Sequence, residues 1–200
     1  MSRGHCRVAL AALALAACAQ VYALEPDTRE WLFDVSLDGR PIGEHRYRLR
    51  EETGSRELLS EARFRVRVLF FEAYRYDHRA QESWRGDCLE KLDASTDVNG
   101  EQTSVAAGPF ESCVQTFAYW NPSILEATRL LNPQTGEYVS VQIRGLGTER
   151  LAGEAVQRYR LTGSGATPLE IDLWYTAARE WVALESKTPE GRRLRYSRKP

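Results

Sequence analysis

From Ile42 to Arg85, rings and aliphatic groups take every second position and arginines fill most of the gaps. Such strict alternation belongs to a strand that buries one face and wets the other, because successive side chains of an extended chain point to opposite sides. His45, Tyr47 and Leu49 alternate with Arg46, Arg48 and Arg50. After a turn at Gly54, Ala62, Phe64, Val66 and Val68 alternate with Arg63, Arg65 and Arg67. Tyr74, Tyr76, His78, Ala80, Glu82 and Trp84 then share one face, opposite Arg75, Asp77, Arg79 and Arg85.

The same period continues on either side. Trp31, Phe33, Val35 and Leu37 precede Asp38-Gly39, a two-residue hairpin signal that Pro41 could lengthen. Asn99-Gly100 is a second such signal. Val139, Val141 and Ile143 alternate, as do Leu169, Ile171, Leu173 and Tyr175. Trp181 to Ser186 and Arg192 to Arg198 form a closing hairpin around Pro189-Glu190-Gly191, and Gly163-Ser164-Gly165 reads as a turn. One segment differs. Asn121-Pro122-Ser123-Ile124-Leu125-Glu126 carries a capping residue, then Pro at the first helical position, and Pro133 ends any continuation. The expected fold is mainly β: a single curved antiparallel sheet or open half-barrel of about ten strands, with one short helical lid.

The first residues read as an export address. Arg3 and Arg7 precede an apolar run from Val8 to Ala19, and the first acid is Glu25. That run of 12 residues is shorter than the roughly 20 that span a bilayer. Two cleavage routes fit: a cut after Val21-Tyr22-Ala23, leaving residues 24–200 as a single β domain behind a signal peptide at 1–23, or a lipobox cut before Cys18 that anchors the chain to a membrane. Either route places the protein in the periplasm or cell envelope. Removing residues 1–23 leaves 25 basic against 28 acidic residues, a net charge of −3, which argues against a nucleic-acid partner. It also leaves two cysteines, Cys88 and Cys113, expected to form a disulfide in an oxidising compartment.

Two stretches carry a resemblance. Trp31-Leu32-Phe33-Asp34-Val35 with Asp38-Gly39-Arg40-Pro41-Ile42-Gly43-Glu44-His45-Arg46 is one. Phe117-Ala118-Tyr119-Trp120-Asn121-Pro122 with Leu130-Leu131-Asn132-Pro133-Gln134-Thr135-Gly136 is the other. Both resemble an exported bacterial family catalogued as domain of unknown function 6134, over essentially the whole chain after the leader. The resemblance implies a periplasmic protein and carries no catalytic residue. In outline, a sheet with a short lid is also similar to the periplasmic lipoprotein carriers.

Two surfaces of the expected sheet are candidates for function. The inner face gathers His45, Tyr47, Phe64, Tyr74, Tyr76, His78 and Trp84, which form either an aromatic core or the wall of a cavity for an apolar or amphiphilic, lipid-like ligand. Phe117, Tyr119 and Trp120 would close it. Burying Glu82 there without a partner is costly, which favours a wet cavity or the end of the strand. The outer face gathers Arg46, Arg48, Arg50, Arg63, Arg65, Arg67, Arg75 and Arg79. Either interleaved acids neutralise them, or they form a basic patch for an acidic protein or an anionic membrane surface. No nucleophile elbow, zinc-protease pair, phosphate loop or dinucleotide fingerprint is present, so neither an enzyme nor a cofactor is expected. His45, His78, Cys88 and Cys113 lack the short spacing of structural zinc ligands.

Overall fold

The computed structural model describes residues 27–68, 71–164 and 169–199. The export segment expected over residues 1–23, with both cleavage routes, lies outside them. The strands are β1 Asp27–Leu37, β2 Arg40–Glu52, β3 Ser55–Val68, β4 Phe71–Arg85, β5 Cys88–Val98 and β6 Glu101–Ala107. After a long connection come β7 Arg129–Leu131, β8 Tyr138–Leu151, β9 Glu154–Ser164, β10 Leu169–Thr176, β11 Trp181–Lys187 and β12 Arg193–Arg198. All twelve form one antiparallel sheet in the order β6-β5-β4-β3-β2-β1-β12-β11-β10-β9-β8-β7, and the sheet does not close into a barrel. It comprises two six-strand meanders, joined where β1 pairs with β12 through Phe33↔Arg198 to Leu37↔Leu194. The free edges, β6 and β7, therefore come from the middle of the chain.

The alternation holds through the arginine-rich strands. His45 pairs with Ala62 and Ala62 with His78, while Phe64 pairs with Tyr76, so the apolar and aromatic set shares one face across β2, β3 and β4. Asp38 and Gly39 both take positive φ (51° and 78°), the two-residue turn that the sequence signals, and Asn99 and Gly100 repeat it. Pro41 is absorbed by a bulge in the register between Val35 and Ser36. Gly43 follows it, where a Cβ would lie 1.9 Å from the Arg63 carbonyl oxygen, so no other residue lets β3 approach this closely.

Twelve strands exceed the ten expected for two reasons. β7 is only three residues long, and β9 alternates too weakly to stand out, with few fully buried positions. Its last residues, Gly163 and Ser164, pair with Val141 and Ser140 as strand, not as the turn expected of them. The hairpin between β8 and β9 turns on Ala152 and Gly153, both at positive φ, and Ala at such a position gives no turn signal.

The sheet is tightly curled. Neighbouring strands lie about 4.8 Å apart, so β4 and β10, six steps apart, would be about 29 Å apart in a flat sheet. Instead, side chains from both line one cavity. Residues 108–128 cross this concave side. The Cys88–Cys113 disulfide ties the crossing segment to the start of β5. Beyond it, the Val114 carbonyl accepts from Leu89 N–H and the Gln115 carbonyl from Leu131 N–H, both at 2.8 Å. The segment thereby stitches β5 to β7 without completing the sheet. The expected helix is one 3₁₀ turn, Pro122–Glu126, capped by Asn121, whose side chain accepts from Ser123 N–H. Its Ile124, 1% exposed, packs into the core. No helix among the described residues is long and apolar enough to cross a membrane.

Candidate functional site

Where the crossing segment arches over the curled sheet it leaves a cavity of about 240 Å³. One wall is mainly polar: His45 and Tyr47 from β2, Ser60 from β3, and Tyr76, His78 and Glu82 from β4, with Leu58 of β3 and Ala80 of β4 as its apolar members. The facing wall is aliphatic, built by Leu169 and Ile171 of β10, Leu184 of β11 and Leu194 of β12, with Ser186 and Tyr196 as its polar members. Phe117, Ala118 and Tyr119 of the crossing segment and Asn132–Gln134 after β7 complete the lining.

The polar wall is internally bonded. His45 Nε2 lies 2.7 Å from Ser60 Oγ, and His45 Nδ1 lies 3.1 Å from the Tyr47 hydroxyl and 3.4 Å from that of Tyr196. Burial, reinforced by His78 nearby, pushes His45 down to about 3, so the imidazole is neutral. The two phenols at Nδ1 then assign the proton to Nε2, which donates to Ser60. Burial also pushes His78 down to about 4. Its Nδ1 meets Thr96 Oγ1 at 2.9 Å, and its Nε2 has no partner among the described residues. Tyr47 and Tyr196 are raised well above the usual phenol value, chiefly by burial.

Glu82 is the anomaly. It is 4% exposed and accepts from Trp84 Nε1 at 3.0 Å and Thr116 Oγ1 at 3.1 Å. Both donors are neutral. Burial raises its carboxyl to about 7, because the two hydrogen bonds only partly offset the lost hydration.

Of the inner-face residues singled out from sequence, His45, Tyr47, Tyr76, His78, Phe117 and Tyr119 line the cavity. The other four lie elsewhere. Phe64 stacks flat on Tyr76 with ring centroids 5.2 Å apart. Trp84 and Trp120 pack edge to face at 5.5 Å in the core beneath the crossing segment. Tyr74 is 37% exposed at the rim. Sequence reasoning left Ser60, Tyr196 and the aliphatic wall out of the site. Alternation assigns a residue to a face but does not say which distant strand will curl round to meet it.

On the outer face, acids interleave with the arginines. Glu30 of β1 meets Arg48 at 3.1 Å and Arg46 at 3.4 Å, and Glu61 meets Arg79 at 2.5 Å and Arg48 at 3.6 Å. Arg65 and Arg75 stand directly opposite each other, yet each turns to its own acid. Arg65 grips both oxygens of Asp77, at 2.8 and 2.9 Å, and Arg75 meets Asp97 at 3.2 Å. Arg50 pairs with Glu52 at 2.5 Å. Only Arg63 and Arg67 of this set lack an ion pair among the described residues. A wider depression of about 460 Å³ on this side is lined by the paired Glu61, Arg65, Asp77, Arg79 and Asp97 and also by Arg63.

A family model described as a domain of unknown function (DUF6134) matches residues 33–199. No curated protein matches the chain. Among solved structures, a β-barrel-like protein of domain of unknown function DUF1849 from Brucella abortus is similar in fold. The TM-score is 0.62 at 9% sequence identity, covering 87% of this chain and 95% of that one.

Proposed function

The chain belongs to the DUF6134 family, and we propose that it is a cell-envelope binding protein that holds a small amphiphilic molecule in the cavity under the crossing segment. One observation carries this reading: the cavity has two chemically distinct walls. Four aliphatic side chains of β10–β12 face a wall of β2–β4 in which six polar side chains outnumber the apolar Leu58 and Ala80. Ligand pockets combine apolar area with a few convergent polar groups in this manner, the first supplying affinity and the second orientation. A molecule with an alkyl portion against Ile171 and Leu184 and a polar end toward His78 and Glu82 satisfies both. Residues 1–23 have the layout of an export signal, and a disulfide suits an oxidising compartment. The outer face supports docking to an acidic partner less well, since its arginines are mostly engaged with acids of their own sheet.

Native mass spectrometry of protein taken from its host, followed by calorimetric titration of the stripped protein with octan-1-ol, tests the proposal. Retained small-molecule mass and saturable binding, lost when Leu184→Trp fills the aliphatic wall, are expected. Wild-type protein that carries nothing and takes up no alcohol would overturn it.

A further inference from the structure

We propose that the polar end of the ligand is a cation, an ammonium group, and that the Glu82 carboxylate receives it. This rests on the cavity reading above and specifies its ligand class. The chain has 27 basic residues, yet none of the described residues lining the cavity is Lys or Arg. Among those described residues the single charged side chain is an acid. A carboxylate offers about four acceptor positions, and Glu82 uses them for Trp84 N–H and the Thr116 hydroxyl alone. An uncompensated buried charge costs several kcal/mol, so the ionised carboxylate is an unfilled half of an ion pair. In the tautomer whose Nδ1–H donates to Thr96, His78 adds a second acceptor, the Nε2 left without a partner among the described residues.

Aromatic faces point to the same ligand. Tyr47, Tyr76, Tyr119 and Tyr196 all border the space. Tyr47 and Tyr76 give faces to His45 and Phe64, but no ring among the described residues stacks on Tyr119 or Tyr196, and an uncovered ring face attracts a cation that has shed its water. A fatty carboxylate or a phosphate would meet a lining that holds Glu82 and no cation. The groups facing Glu82 do not change charge near neutrality. They are His45 and Tyr47 on β2, Tyr76 and His78 on β4, Tyr119 in the crossing segment and Tyr196 on β12. Burial holds His45 at about 3 and His78 at about 4 and raises all four phenols, so between about pH 6 and pH 8 Glu82 alone of these groups gains charge. Affinity for a ligand of fixed positive charge must therefore climb with pH across that interval.

The test is calorimetric titration of the full chain with octylammonium, octan-1-ol and octanoate, which share one tail and differ in head-group charge. At about pH 8 octylammonium is expected to bind on the order of tenfold more tightly than octan-1-ol, as one charge-assisted hydrogen bond supplies, with octanoate weakest. Near pH 6 the cation's advantage shrinks. Glu82→Gln removes the advantage of the cation over the alcohol at both pH values, and an unchanged circular dichroism spectrum and thermal unfolding transition show the variant to be folded. If octan-1-ol binds the wild type but octylammonium does so no better, or octanoate does so best, the cation is excluded and the amphiphile reading survives. If none of the three binds, the cavity reading itself fails. The wild-type ranking decides without any variant.

Discussion

Two acids of this sheet are almost equally withdrawn from water and are treated in opposite ways. Glu82, 4% exposed, faces the cavity and meets only neutral donors. Asp172, 6% exposed, sits on the outer side of β10. Arg158 donates to it at 2.5 Å, and Arg160 donates twice, at 2.7 and 2.8 Å. Burial pulls Asp172 upward, but the hydrogen bonds from Arg160 and Arg158 win and hold it below the usual carboxylate range. Glu82 rises to about 7 instead. Where the fold needs a buried acid charged, it supplies arginine forks; inside the cavity it supplies none. The contrast marks Glu82 as an acid that the structure itself does not require to be ionised.

The largest effect is expected at the clamp over the cavity. Replacing Cys88 and Cys113 by Ser frees a loop of 25 residues, which the chain-entropy account values at about 3.5 kcal/mol. Denaturant titration measures the loss, and hydrogen exchange should show the amides of Leu89 and Leu131, which donate to the crossing segment, freed while that of Asp172 stays protected. Next comes Asp172→Asn, which leaves two half-buried arginines facing a neutral amide and should cost about 3 kcal/mol near neutral pH. Because the folded aspartate is held low, its contribution is complete above its ordinary value near 3.8 and fades as acid protonates the folded form. The deficit of the variant therefore shrinks in acid.

Glu82→Gln has the opposite sign. A carboxyl raised from 4.5 to about 7 stabilises the fold fully below about pH 4.5 relative to alkali, and that advantage is lost as pH rises through 7. The amide variant should thus exceed the wild type by about 1–2 kcal/mol near pH 8 and lose that lead below about pH 5. Stability curves at the two pH values check it. If Glu82→Gln instead weakens the protein at pH 8 as much as Asp172→Asn does, the two acids do the same work and the contrast collapses. The smallest effect belongs to the exposed ladder. Arg48→Ala should cost no more than about 0.5–1 kcal/mol, and salt should diminish it, since its pairs with Glu30 and Glu61 are open to water.

Much of this architecture is legible in the chain, and the reason is burial on one side. Between Ile42 and Arg85 a one-residue slip would drive arginines inward, so the pattern fixes the face of His45, Phe64 and His78 without knowledge of the fold. Asp38-Gly39 and Asn99-Gly100 announce their turns because their residues tolerate positive φ. Legibility stops where both sides are covered. β10 has an unbroken buried run from Ile171 to Tyr175, with Trp174 on the outer side near Arg158 and Arg195, so its alternation understates how it is packed. The aliphatic wall is hidden for another reason: Leu184 and Glu82 line one cavity only because the sheet rolls up, and curvature summed over five strand spacings leaves no mark in any short window. The role of Thr116 is hidden likewise, since a crossing loop carries no period.

The junction of β1 with β12 has a consequence for how the pocket comes into being. Every polar side chain of the first wall belongs to the leading meander and every aliphatic one of the second to the trailing meander, so neither half alone contains a binding site. Residues about 165 positions apart, Phe33 and Arg198, must find each other before the two walls can face, and contacts so remote in sequence form slowly. Any guest that bridges the walls would act as a molecular staple on that zipper, because Leu194 and Tyr196 belong both to the cavity lining and to the meeting point of the chain's two halves.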